Sequence, residues 1–186
     1  MAGPSLASLC LAVVLMSSLL AAPQAYPFLF ASRLATSCTS HPTTSHMGGR
    51  GGGHLAPQPD ATTKFQVFAG GRPAAKLCPG ASHAVRVATP TPRYGLLTAT
   101  AGEFAEGDPW DCPNRVLLDK AKLTVHSATL NLPCGGNPPS VVLQATTAEG
   151  VGQHFLGASA TLAVDPSCAA VKCKTQQARL PAKPKP

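Results

Sequence analysis

The chain has 186 residues, of which 44% are hydrophobic and only 12% charged, and its formal net charge is +7 at pH 7. Five of its fifteen basic residues lie after Cys168, where no acidic residue occurs, so residues 26–168 are nearly neutral. The chain has only nine aromatic residues, namely one tryptophan, two tyrosines and six phenylalanines, which argues against nucleic-acid binding. Nineteen prolines and seventeen glycines argue against long helices.

Residues 1–25 have the pattern of a secretory signal peptide. They carry no charged side chain, and an apolar run over residues 9–20 precedes the small-residue stretch AAPQA. We predict cleavage after Ala25, with Ala22 as the alternative site. No later stretch approaches the roughly 20 apolar residues of a membrane span. The sequence therefore predicts a secreted, extracellular protein without a membrane span.

Residues 26–63 are rich in Gly, Pro, Ser, Thr and His and show little periodicity. We expect an extended, mostly irregular entry segment that is held by Cys38. Its stretch SCTSHPTTSHMGGRGGGH, residues 37–54, contains His41, His46 and His54. Imidazole nitrogens suit copper, zinc or nickel, so these three histidines are the candidate metal ligands.

A polar loop anchored by a disulfide is the competing interpretation of this stretch. Its five glycines lose more entropy than other residues when they are ordered around an ion. We favour the loop, assign no metal, catalytic or cofactor-binding site, and expect no cofactor.

From Lys64 onward, short runs alternate between apolar and polar residues, as strands buried on one side do. In the fourth run, Leu123, Val125 and Ser127 share one face, while Thr124 and His126 share the other. His83, His126 and His154 are expected on polar faces. Gly- and Pro-rich turn signals separate the runs. We predict a two-sheet β-sandwich of about seven strands, with a small barrel as the alternative. The runs cover residues 64–68, 83–87, 94–100, 122–132, 140–147 and 153–164.

Four of the eight acidic residues crowd into GEFAEGDPWDC: Glu103, Glu106, Asp108 and Asp111. Such a cluster could serve a glycosidase or hold calcium. No calcium-loop spacing is present, so we favour a solvated loop closed by Cys112. Trp110 beside these acids could stack on a sugar, and we prefer a structural role for it.

Seven cysteines occur, of which Cys10 lies in the signal segment. An even number of remaining cysteines after an export signal predicts three disulfides, and fifteen pairings are open. The six residues are Cys38, Cys78, Cys112, Cys134, Cys168 and Cys173.

Several stretches together resemble a reeler domain. YPFLFASRLATSC (26–38) precedes a His-rich segment, and KLCPGASHAVRV (76–87) resembles that family's Pro-Gly element before a strand. YGLLTATAGEF (94–104) resembles the strand in which the family carries an FRGFLLQAR-like run followed by a Gly-Thr-Phe type turn. PCGGNPPSVVLQATT (133–147) lies where the family has a later cysteine and core strands. The resemblance implies an immunoglobulin-like β-sandwich in an extracellular protein of adhesion, matrix association or innate defence, without enzymatic activity.

The sequence thus predicts a signal peptide over residues 1–25, a reeler-like sandwich over residues 26–168 and a basic tail over residues 169–186. The expected function is a secreted, non-catalytic binding or structural protein of the extracellular matrix, cell wall or cell surface. Acidic polysaccharide is a candidate partner, because the tail is basic. The alternatives are a secreted metal-binding protein or enzyme that uses His41, His46 and His54, and an extracellular defence or inhibitor protein.

Overall fold

The computed structural model describes residues 26–43, 53–150, 152–168 and 173, and the signal segment lies outside this range. Short helix α1 spans Phe28–Arg33, and a 3-10 turn spans Pro166–Cys168. The nine strands are β1 (Leu55–Pro59), β2 (Lys64–Ala69), β3 (Arg72–Pro73), β4 (Lys76–Leu77), β5 (Ser82–Ala99), β6 (Glu103–Phe104), β7 (Arg115–Asn131), β8 (Ser140–Ala148) and β9 (His154–Val164).

The strands form one curled, mixed sheet because β5 and β7 each run through two layers. The first half of β5 pairs with β2 and with the second half of β7, which also pairs with β6. The second half of β5 pairs with β8 and with the first half of β7. Strand β9 follows β8 and pairs in parallel with β1 and β4. We call these two halves of the sheet the first and the second layer.

Period-two alternation positions the core between the layers. Val85 and Val87 of the first layer and Leu97 and Leu143 of the second are fully buried in one cluster. The all-β, disulfide-linked class is confirmed, and the six alternating runs coincide with strands. The two runs 83–87 and 94–100 belong to one 18-residue strand, β5. Among the described residues no helix has the length and apolar character needed to cross a membrane.

Strand β7 buries the face that its sequence predicts to be exposed, and exposes the face that its sequence predicts to be buried. Leu123 and Val125 are 46% and 48% exposed, whereas His126, Ala128 and Leu130 are buried. Pairing with β5 sets this outcome, because the inward-facing Val87 lies opposite His126. The expected polar face of β7 therefore faces the core, and its apolar pair faces solvent.

The entry segment is more regular than we expected, since it contains α1 and β1. Helix α1 lies on the outer face of the second layer, where Tyr26 and Phe30 pack with Leu96, Ala148 and Phe155. The hydroxyl of Tyr26 donates a hydrogen bond of 2.7 Å to the backbone oxygen of Thr146. The second layer is thus covered on both faces.

Three disulfides join distant parts of the chain. Cys38–Cys112 ties the entry segment to the acidic loop, Cys78–Cys168 ties β4 to the turn after β9, and Cys134–Cys173 reaches into the tail. Their Cα–Cα distances are 5.2, 5.3 and 5.2 Å, respectively. Covalent closure of such long loops restricts the unfolded chain and so stabilises the fold.

We expect Tyr26→Phe to lower the free energy of unfolding by about 1 kcal/mol, because it keeps the buried ring and removes the hydroxyl that donates to the Thr146 carbonyl. Urea denaturation of the mature protein measures the change. Tyr94→Phe is the matched control, since no hydrogen bond of the Tyr94 hydroxyl is found in the described part of the chain. Equal losses in the two variants would contradict the role of the Tyr26 hydroxyl.

Candidate functional site

His41 lies in the entry segment, three residues after Cys38, and both of its ring nitrogens form hydrogen bonds. Its Nδ1 is 2.8 Å from the hydroxyl oxygen of Thr146 on β8, and its Nε2 is 2.9 Å from that of Thr98 on β5. Burial, with the nearby charge of Arg115, lowers the pKa of His41 to about 4. The imidazole is therefore neutral at physiological pH and links two strands of the second layer to the entry segment.

His54 packs against the apolar cluster on the outer face of the second layer, which contains Tyr26 and Phe155. Its ring stacks on Phe155 at 4.4 Å between centroids, and Tyr26 meets it edge-on at 6.0 Å. Burial lowers its pKa. His46 lies outside the described residues, within which no group of three or more His, Cys, Asp or Glu side chains is arranged to hold a metal ion. Metal binding by either ring nitrogen of His41 would require the loss of the threonine partner of that nitrogen.

Two of the remaining histidines are buried, although we expected them on polar faces. His83 accepts a hydrogen bond of 3.0 Å from the backbone N–H of Cys78 through Nε2. His126 donates from Nε2 to the carbonyl of Arg93 at 2.7 Å. His154 is only partly exposed, and its Nδ1 lies 2.7 Å from the carbonyl of Ala56 on β1. All three therefore contact backbone groups of neighbouring segments.

The acidic loop is held together by its own side chains. Asp108 forms a buried ion pair of 2.7 Å with Arg115 and accepts the backbone N–H of Trp110 at 2.8 Å. Both oxygens of Glu106 accept the backbone N–H of Thr129, at 2.9 and 3.0 Å. The half-buried ring of Trp110 packs edge-on against Phe28 at 4.9 Å. These contacts give Glu106, Asp108 and Trp110 roles in closing the loop beneath Cys38–Cys112.

A second buried ion pair, which the sequence did not reveal, lies at the bend of β5. Arg93 Nη1 is 2.7 Å from Asp60 Oδ2, with both side chains almost fully buried. Burial opposes ionisation of Asp60, but hydrogen bonds from Thr62, Thr63 and Arg93 outweigh it, so its pKa lies below the ordinary value. Residues far apart in sequence form this pair, and no local spacing marks it.

The outer face of the first layer carries exposed side chains. Arg86 lies at its centre between Gln66 and Ser127, and its guanidinium carbon is 4.6 Å from the centroid of the Phe68 ring. A depression of about 450 Å³ lies beside Arg86 and Phe68. We call this surface the Arg86 face. Its other outward residues are Lys64, Ser82, Ala84, Ala88, Val125, Thr129 and Asn131.

The Arg86 face is cationic. Lys64 lies diagonally next to Arg86 on the adjacent strand, and small side chains such as Ala84 and Ala88 surround them. Within the described residues, the acidic side chain on this face is Glu103, which pairs with Asn131 at the far edge. Both backbone edges of β5 are paired here, so only side chains are available to a ligand.

No family model matches the sequence, and no curated protein matches it. Among solved structures, the human F-spondin reeler domain (fragment 1) matches with a TM-score of 0.45 and 18% identity, covering 59% of this chain and 94% of that chain. The Reelin-N domain of F-spondin matches with a TM-score of 0.45 and 19% identity, covering 59% of this chain and 91% of that chain.

We expect His41 to make the protein less stable in mild acid. In the unfolded chain it binds a proton near pH 6.5, but in the folded protein only near pH 4. The unfolded state therefore binds more protons within this window, and the free energy of unfolding falls as the pH drops from 6.5 towards 4. The contribution of His41 is about 2–3 kcal/mol.

Denaturant unfolding measured at several pH values tests this expectation. His41→Gln retains hydrogen-bonding groups for Thr98 and Thr146 but cannot titrate. It should show a shallower decline of stability between pH 6.5 and 4, while His54 and His83, whose pKa values are also lowered by burial, preserve part of the slope. Identical slopes in the wild type and the variant would contradict the assignment.

Proposed function

We propose that the mature chain is a secreted, non-catalytic binding protein of the extracellular matrix, cell wall or cell surface, and that the Arg86 face binds acidic polysaccharide. The observation that carries the proposal is Arg86 itself. It is an exposed guanidinium held against Phe68 at the centre of the outer face of the first layer. A guanidinium in this position binds carboxylate or sulfate groups through paired hydrogen bonds.

An extracellular location is supported by the covalent structure. Three disulfides link cysteines that are 74, 90 and 39 residues apart. Such bonds form and persist in oxidising compartments, which agrees with the signal peptide predicted over residues 1–25. We propose that residues 26–168 form the mature domain and that the basic tail over residues 169–186 follows it.

A binding role also agrees with how the buried polar groups are used. Asp108 pairs with Arg115, Asp60 pairs with Arg93, and His41 bridges two threonines. The Asp60–Arg93 pair and His41 join segments that are distant in sequence, and the Asp108–Arg115 pair closes the acidic loop onto the start of β7. These side chains therefore stabilise the fold, whereas Lys64 and Arg86 of the Arg86 face are exposed to solvent.

Charge favours an anionic ligand on this face. Lys64 adds a second cation beside Arg86, so adjacent anionic groups on one polymer can bind both side chains. The tail contributes Lys174, Arg179, Lys183 and Lys185 after the last disulfide. Such long-range attraction increases the rate of encounter with a polyanion and weakens with salt.

Binding to an immobilised acidic polysaccharide tests the proposal. Arg86→Gln should weaken binding about tenfold, because it removes a charged hydrogen-bond donor worth roughly 1.4 kcal/mol. Arg72→Gln is the matched control. It makes the same charge change at an exposed arginine of β3, and Arg72 pairs with Ala69 rather than with a residue of the Arg86 face. Its affinity should stay within about twofold of wild type.

Truncation of residues 174–186 should lower the affinity further, and raising the ionic strength should weaken binding by the wild-type protein. Binding that does not depend on salt, or that survives both Arg86→Gln and the truncation unchanged, would contradict the electrostatic role. A wild-type protein that fails to bind acidic polysaccharide would contradict the proposed ligand.

A further inference from the structure

Strand β7 has a backbone edge that no described strand occupies. Strand β6 pairs with β7 only at Leu130 and Asn131. The ladder extends by one step, where the N–H of Ala105 donates to the carbonyl of Thr129 at 2.9 Å and Glu106 accepts the N–H of Thr129. The chain then turns away at Glu106. The backbone groups of Thr129 therefore point away from β5.

The same geometry applies to the next residues along β7. Every second residue of a strand directs its N–H and C=O groups to the same side, so those of Ser127 and Val125 also point away from β5. A groove of about 420 Å³, lined in part by Leu123, Ser127 and Glu106, lies along this edge. An edge of this kind is a template for another strand.

The side chains on this edge are apolar and accessible. Leu123 and Val125 are among the most exposed large apolar residues of the described chain, at 46% and 48%. They follow each other at a spacing of two and so lie on the same side of the strand. A strand added here would cover both.

We propose that the edge of β7 pairs with the same edge of a second copy of this chain, antiparallel and around a two-fold axis at Val125. Val125 then lies opposite Val125 of the second copy, and the two residues exchange both backbone hydrogen bonds. Ser127 lies opposite Leu123 of the second copy, and the reverse pair repeats the contact. One surface patch serves both chains, as an isologous interface requires.

Charge complementarity favours a second copy as the occupant. The added strand ends at Leu123 of the second copy, because Ala105 and Glu106 already occupy the edge at Thr129. Lys122 of the second copy, which adjoins Leu123 at this end of the strand, therefore lies beside the carboxylate of Glu106, which binds the N–H of Thr129. The two-fold axis generates this acid–base contact twice. The contact is small, so the dimer is weak and depends on concentration.

Disulfide cross-linking tests the register. Residues that exchange both hydrogen bonds in an antiparallel pair have Cα atoms about 5.5 Å apart, within the range of a disulfide. Val125→Cys in the purified mature protein should thus give a covalent dimer under mild oxidation. Leu123→Cys is the matched control, because the two copies of residue 123 lie about 13 Å apart, four residues out of register. No cross-link at residue 125, or equal cross-linking at both positions, would overturn the proposal.

Sedimentation equilibrium without polysaccharide tests association itself, independently of the proposed ligand. Val125→Lys opposes two lysines at the axis, which is unfavourable for directly paired residues, and should weaken dimerisation at least tenfold. Gln66→Lys adds the same charge on β2, away from the β7 edge, and should leave the dimer constant within about twofold. Thermal unfolding checks that both variants fold. A monomeric wild type at all concentrations, or equal effects of the two variants, would refute the dimer.

Discussion

The bend that β5 and β7 share decides where the other parts of the molecule lie. Both strands run through the two layers, and their pairing is interrupted between Ala88 and Gly95. Arg93 occupies this bend, pairs with Asp60 after β1 and accepts a hydrogen bond from His126 of β7 through its carbonyl. Removing one partner of a buried ion pair costs several kcal/mol. The Arg93–Asp60 ion pair therefore holds the bend in one geometry, and this geometry sets the orientation of the first layer relative to the second.

The outer faces of the two layers differ in whether another part of the chain covers them. The outer face of the second layer is covered by the entry segment, with Tyr26 and Phe30 in the apolar cluster and His41 bridging β5 and β8. Cys38–Cys112 closes this cover onto the acidic loop. Because partial burial lowers the pKa values of His41 and His54, we expect the attachment of this cover to weaken in acid. The outer face of the first layer has no such cover among the described residues, and Arg86 is exposed there.

The two surfaces proposed for binding adjoin each other at Val125, which belongs to the Arg86 face and to the free edge of β7. In the proposed dimer the first layers of two copies would form one continuous sheet. Their Arg86 faces would then lie side by side on the same surface. A polyanion that spans both copies would bind more tightly than to either alone, because the second contact becomes intramolecular. Weak association and weak ligand binding would reinforce each other.

The sequence by itself determined the strands, since period-two alternation and Gly- and Pro-rich turns are local signals, and it determined that six cysteines would pair. It could not determine which face of β7 is buried. Leu123 and Val125 are more apolar than His126, yet alternation leaves both phases open, and the register with β5 selects one of them. Tertiary structure alone decided the disulfide partners, the Arg93–Asp60 pair and the burial of His41 between Thr98 and Thr146. Each of these depends on which distant segments meet, and that is settled by the packing of the two layers.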